Sequence, residues 1–146
     1  TFWQLMFLLL LLLLLLRLLS LLLSLLVSAS AFAADAPKAN ADREKAWKAE
    51  IFPMLENSCA GCHGKDPAKK AKGGFNIMTL ESAAKGGKEN GVGITWGNAA
   101  KSAIYTLSEL GATKRDEEMA MPPKKAKSEP LTKDQLAKLK AFIEAK

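Results

Sequence analysis

One histidine and two cysteines in 146 residues close off most metal chemistry at once. A structural zinc site takes four ligands, usually Cys and His in two separated pairs. This chain has three such residues in all, so a Cys/His zinc site falls one ligand short. A single histidine also excludes any centre that needs two imidazoles. Alternating strand patterns and internal repeats are missing, so nothing resembles the βαβ frame around a thioredoxin-like dithiol. The glycine-rich stretch from Lys88 to Gly93 lacks the G-x-x-x-x-G-K-S/T spacing of a phosphate loop. The formal charge is +6, but the lysines are spread and not interleaved with arginine or aromatics, so nucleic acid is not an expected partner. A mild basic excess suits an acidic protein partner or an anionic membrane.

What the chain has in excess is leucine, concentrated between Thr1 and Val27. The small residues Ser28-Ala29-Ser30-Ala31-Phe32-Ala33-Ala34 follow, and Ala31 with Ala33 forms an A-x-A cleavage pattern. Residues 1–34 therefore read as a Sec-type signal peptide cut after Ala33 or one residue later. Arg17 followed by Leu18 to Val27 makes an n-region and h-region by itself. Together with a first residue that is Thr and not Met, this suggests an over-extended or misassigned start. The alternative is an uncleaved anchor in the inner membrane. Leu5 to Val27 is long enough to span, with Arg17 mid-span at a cost of roughly 2.5–3.5 kcal/mol. No twin arginine and no cysteine at the cleavage point indicate Tat export or a lipid anchor.

All three scarce residues fall in one stretch, Cys59-Ala60-Gly61-Cys62-His63. C-x-x-C-H is the attachment pattern of a c-type haem. Two thiols add across the porphyrin vinyls as thioethers, and the adjoining imidazole binds the iron. Ala60 and Gly61 are small, which suggests that the backbone lies close to the ring. The remaining alternative is a reactive or metal-binding dithiol. Attachment of haem c with its iron outside the cytoplasm agrees with an exported chain, expected in the periplasm.

After the leader, residues 35–41 read as a polar linker and 42–146 as one domain. Asn40 or Asp42 is expected to cap a helix over Arg43 to Ile51, with Pro53 kinking or ending it. Phe75, Ile77 and Leu80 are expected in the pocket wall. Thr79 caps a brief helix to Lys85, and Asn98 a longer one from Ala99 to about Leu110, stopped at Gly111. Thr132-Lys133-Asp134-Gln135 is a capping box for a last helix whose buried stripe is Leu136, Leu139, Phe142 and Ile143. The fold expected is all-α and small.

A second axial ligand to iron must come from elsewhere, because His63 is the only histidine. Of five methionines, Met6 is in the leader and Met54 is on the proximal approach. Met121 is favoured over Met78 and Met119, because Pro122 and Pro123 stiffen its loop and push the preceding residue to extended geometry. Water, lysine or an open position are the other possibilities.

The order helix, C-x-x-C-H, helix, Met-Pro-Pro, terminal helix resembles a class I monohaem cytochrome c. More narrowly it is similar to the planctomycete-type cytochrome c domain. The similarity is carried by Ile51-Phe52-Pro53-Met54-Leu55, the haem motif with Gly64, Lys72-Gly73-Gly74-Phe75, Ala83-Ala84-Lys85-Gly86-Gly87, Lys101-Ser102 and Met121-Pro122-Pro123. One departure is Trp96-Gly97-Asn98, where the family has a proline-glycine turn; Trp96 is read as ordinary buried surface, with shielding of a haem edge as the alternative. The resemblance implies a cytochrome c-like fold around one covalent haem, thioethers at Cys59 and Cys62, and iron ligation by His63 and Met121. It implies a monomeric, non-enzymatic electron carrier for redox proteins with an acidic docking surface, steered by Lys65, Lys69, Lys70, Lys124, Lys125 and Lys127. Membrane contact is expected only if the leader is uncleaved. The competing reading is a haem enzyme or sensor with an open distal side, peroxidase-like or gas- or redox-sensing.

Overall fold

The computed structural model describes residues 2–33, 36–64, 66, 68 and 70–145. Every regular element among them is helical, and no strand occurs. The chain divides into two units, residues 1–41 and 42–146.

In the first unit, α1 (Phe2–Ala33) is a single helix of 32 residues. Leucine is a strong helix former, and neither glycine nor proline interrupts it. Its segment Phe2–Leu22 is long and apolar enough to cross a membrane. The predicted cleavage point adjoins Ala34 and Asp35, which lie outside the described residues.

The expected linker is helical instead: α2 (Ala36–Ala46) contains both Asn40 and Asp42, so neither caps a helix. Helical backbone then continues to His63. Pro53 does not end it. Trp47–Ile51 widens to a π-turn, in which the Phe52 N–H reaches back to the Trp47 carbonyl, and Pro53 follows in the first turn of α3 (Phe52–Leu55). Proline lacks an N–H and crowds the carbonyl one turn back; the wider turn accommodates both. A second π-turn, Glu56–Ala60, leads into α4 (Gly61–His63). Gly64, at φ 128°, ends the run in a conformation that side chains resist.

Thr79 caps α5 (Leu80–Lys85) through a capping box with Ser82, as its sequence predicts. Asn98 also caps, but only the single 3-10 turn Ala99–Lys101. The long helix α6 (Ala103–Thr113) begins one turn later than expected. The reason is Ser102, whose fully buried hydroxyl accepts from the Thr95 N–H at 2.9 Å and lies 2.9 Å from the Asn98 carbonyl. Nor does Gly111 stop α6, which continues past it to Thr113. The last helix, α7 (Lys133–Glu144), opens with the predicted box: Thr132 Oγ1 accepts from the Gln135 N–H at 3.2 Å, and Gln135 Oε1 from the Thr132 N–H at 2.8 Å.

The core of this unit forms where the first helical run meets α7. Trp47, Ile51 and Leu55 recur every four residues on one face and are buried with Leu136, Leu139 and Ile143 of α7. The Trp47 and Phe142 rings lie 6.0 Å apart, and Lys138 pairs with Glu50 at 2.9 Å on the rim. α6 packs against α7 from the other side.

Candidate haem site

Cys59, Cys62 and His63 stand at i, i+3 and i+4 of the helical run, positions that share one face. All three line one cavity of about 230 Å³. That is larger than the roughly 150 Å³ void that admits a benzene ring. The same cavity is also lined by Ala103, Ile104 and Leu107 of α6 and by Met121, Pro122 and Pro123. The cavity is thus built between an attachment face on one helix and a loop braced on another.

His63 is held at three points. Its Nδ1 lies 3.2 Å from the Phe75 carbonyl oxygen. A carbonyl can only accept, so Nδ1 carries the proton and Nε2 keeps a free lone pair, the arrangement that metal-binding histidines adopt. The Phe75 ring meets the imidazole edge-on at 5.2 Å, and the His63 carbonyl accepts from the Ile77 N–H at 3.0 Å. Burial lowers the imidazole pKa from its ordinary value, against a smaller opposing pull from the Phe75 and Lys72 backbone hydrogen bonds. The neutral form needed for a ligand is therefore favoured.

The two thiols differ. Cys59 is half-buried and Cys62 exposed. Burial, and behind it the charge of Cys62, pushes the Cys59 thiol up to about 12. Reactive thiols depend on a lowered pKa, so Cys59 is not set up as an attacking thiolate. No group of three or more His, Cys, Asp or Glu among the described residues is arranged to hold a bare metal ion. What the site does fit is a flat apolar group: its lining brings together two cysteines, a histidine, the aliphatic Ile104 and Leu107, and Met121.

Residues 59–125 match the family model described as planctomycete cytochrome C. Over this stretch the chain is similar to a planctomycete-type cytochrome c domain. No curated protein and no solved structure matches the chain. The matched residues run from the first cysteine of the motif to just beyond Met121-Pro122-Pro123, so Cys59, Cys62, His63 and Met121 of the cavity all fall inside the match. A cytochrome c domain carries covalent haem c with its iron, and Cys59 and Cys62 are the only cysteines the chain offers for it.

Several expected contacts lie elsewhere. Of Phe75, Ile77 and Leu80, only Phe75 lines the cavity; Ile77 and Leu80 are buried in the helical core. Ala60 is also fully buried there, and Gly61 has no protein atom near its Cβ position. Trp96 is ordinary packing: it meets Phe142 edge-on at 5.5 Å, and Arg43 stacks 4.3 Å above it. Met54 packs against the core, while Met78 and Met119 are each 42% exposed and line no part of the cavity. Lys70, Lys124, Lys125 and Lys127 are exposed, with Lys124 paired to Asp116. Lys65 and Lys69 lie outside the described residues. The Phe75 carbonyl that orients His63 was not foreseen from the sequence, because a backbone acceptor carries no side-chain signature.

Proposed function

We propose that the protein is an exported single-electron carrier, with haem c joined to Cys59 and Cys62 and its iron ligated by His63 and Met121. The observation that carries this reading is that Met121 lines the same cavity as Cys59, Cys62 and His63, and no other methionine among the described residues does. When bound, haem supplies a one-electron Fe(III)/Fe(II) couple.

The chain's own residues then have separable tasks. His63 presents Nε2 because Phe75 holds Nδ1. Met121 contributes a thioether, which favours the reduced iron and raises the potential relative to two imidazoles. Ile104 and Leu107 keep water from the centre. Exposed lysines, Lys70, Lys125 and Lys127 among them, steer a redox partner with an acidic face. The leader directs export through the Sec route to the periplasm and is removed near Ala33, or else anchors the domain to the inner membrane. The carrier acts as a monomer.

The test is an optical spectrum of the haem-loaded protein, oxidised and then reduced. A low-spin c-type spectrum with the weak far-red sulfur-to-iron band in the oxidised form is expected, and that band should vanish in Met121→Ala. A high-spin spectrum in the native protein would mean an open distal side and would overturn the carrier reading.

A further inference from the structure

Gly111 lies inside α6, is buried, and has ordinary helical backbone. Its lack of a side chain is therefore not required by the turn, and alanine there would favour the helix by about 1 kcal/mol. The constraint is a close approach. A Cβ at Gly111 would lie 2.0 Å from the Met121 carbonyl oxygen, 2.5 Å from its carbonyl carbon and 3.1 Å from its nitrogen. One turn earlier on the same helix, the Leu107 carbonyl accepts from the Met121 N–H at 3.0 Å. The Met121 backbone is thus seated directly on α6.

The far end of the same loop is tied to Arg115, two residues past the end of that helix. Arg115 donates through Nη2 to the Ser128 carbonyl at 2.6 Å and the Ala126 carbonyl at 3.3 Å, and its Nη1 faces Glu129 at 3.5 Å. Ala126 and Ser128 line the cavity with Met121.

We propose that Gly111 and Arg115 are positioning residues for the distal ligand, holding the loop from Met121 to Ser128 on α6 so that the Met121 thioether reaches the iron. This rests on Met121 being that ligand. A methyl group at position 111 must move the Met121 backbone by about 1 Å before the contact reaches even 3.0 Å. Displacements of that size are enough to disable a site that depends on fixed geometry.

The experiment uses the haem-loaded full chain and reads the far-red band in the oxidised form and carbon monoxide affinity in the reduced form. Wild type and Met121→Ala come first: a wild type without the band, unchanged by Met121→Ala, overturns the ligation reading and this inference with it. Where the band is present, Gly111→Ala should weaken it and raise carbon monoxide affinity about tenfold or more, because affinity scales with the fraction of molecules whose distal side is open. In a Met121→Ala background the same substitution should add no further affinity, which a merely structural role would not predict. Gly111→Ala with the band and the affinity of wild type overturns the proposal while leaving Met121 ligation standing. Should Gly111→Ala fail to fold, Arg115→Gln decides: it should shift both readouts in the same direction, and no shift overturns the proposal.

Discussion

Trp47 is the largest of the fully buried side chains and 1% exposed, yet its indole Nε1–H is buried without a hydrogen-bond partner. Two substitutions separate what its bulk contributes from what that donor costs. Trp47→Ala removes the whole ring from between the first helical run and Phe142 of α7. Aromatic-to-alanine changes in a core cost about 3–5 kcal/mol. For a unit of this size each kcal/mol moves the melting temperature by about 4–8 °C, so a fall of at least about 12 °C is expected. Trp47→Phe keeps an aromatic ring against Phe142. The lost volume costs about 1 kcal/mol, and removing an unsatisfied buried donor returns about 1–3 kcal/mol. The Phe variant should therefore melt at or above the wild-type temperature. Reversible thermal melts followed by circular dichroism measure both, and the haem spectrum should stay unchanged because Trp47 does not line the cavity. A Phe variant that melts more than about 8 °C below wild type would refute the reasoning and mean that Nε1–H has a partner worth keeping.

Two further predictions concern the end of the chain and its surface. Thr132→Ala removes the oxygen that accepts from the Gln135 N–H; it should cost about 1 kcal/mol in a denaturant titration, with no change in the haem spectrum. Electron transfer to an acidic partner should slow as ionic strength rises from about 10 to about 150 mM, about a fourfold shortening of the screening length; a flat response in stopped-flow traces would remove the steering role of the lysines.

The parts of the fold legible from sequence were those set by local chemistry. The cap at Thr79 and the capping box at Thr132 sit where their residue types put them, and Leu136, Leu139 and Ile143 are buried as the helical period requires. The elements misread were those settled by tertiary contact. Pro53 reads as a break, but a π-turn upstream absorbs it. Gly111 reads as a helix stop because glycine so often ends helices; its reason is the Met121 backbone, ten residues on in sequence and invisible to any local rule. Asn98 gives the right cap and the wrong helix, because the buried Ser102 hydroxyl interrupts the run after one turn. In the site, the C-x-x-C-H spacing was legible from residue types alone, and the structure gathers Cys59, Cys62 and His63 at one cavity. The wall that Met121 shares with α6 was not, since it depends on which helix the loop lies against.

The two walls of the cavity are stabilised by different means, and this bears on how the centre works. The attachment face belongs to the core: Leu55 and Ala60, on the same helical run as Cys59, are fully buried, so Cys59, Cys62 and His63 can shift only if the packing against α7 shifts too. The Met121 wall is held by a few contacts to α6 and Arg115, and Met121 itself is outside the buried hydrophobic cluster. On the proposed ligation, attachment through Cys59 and Cys62 would fix where the haem sits, while the Met121 loop would govern whether the sixth position is closed. If the protein is the proposed electron carrier, that second wall must stay shut in both oxidation states. Local openings are drawn from segments with few buried apolar contacts, so a loop of this kind would open readily if left unbraced. The close seat of Met121 on a side-chain-free position of α6, with Arg115 tying the loop's far end, is the physical counterweight to that tendency.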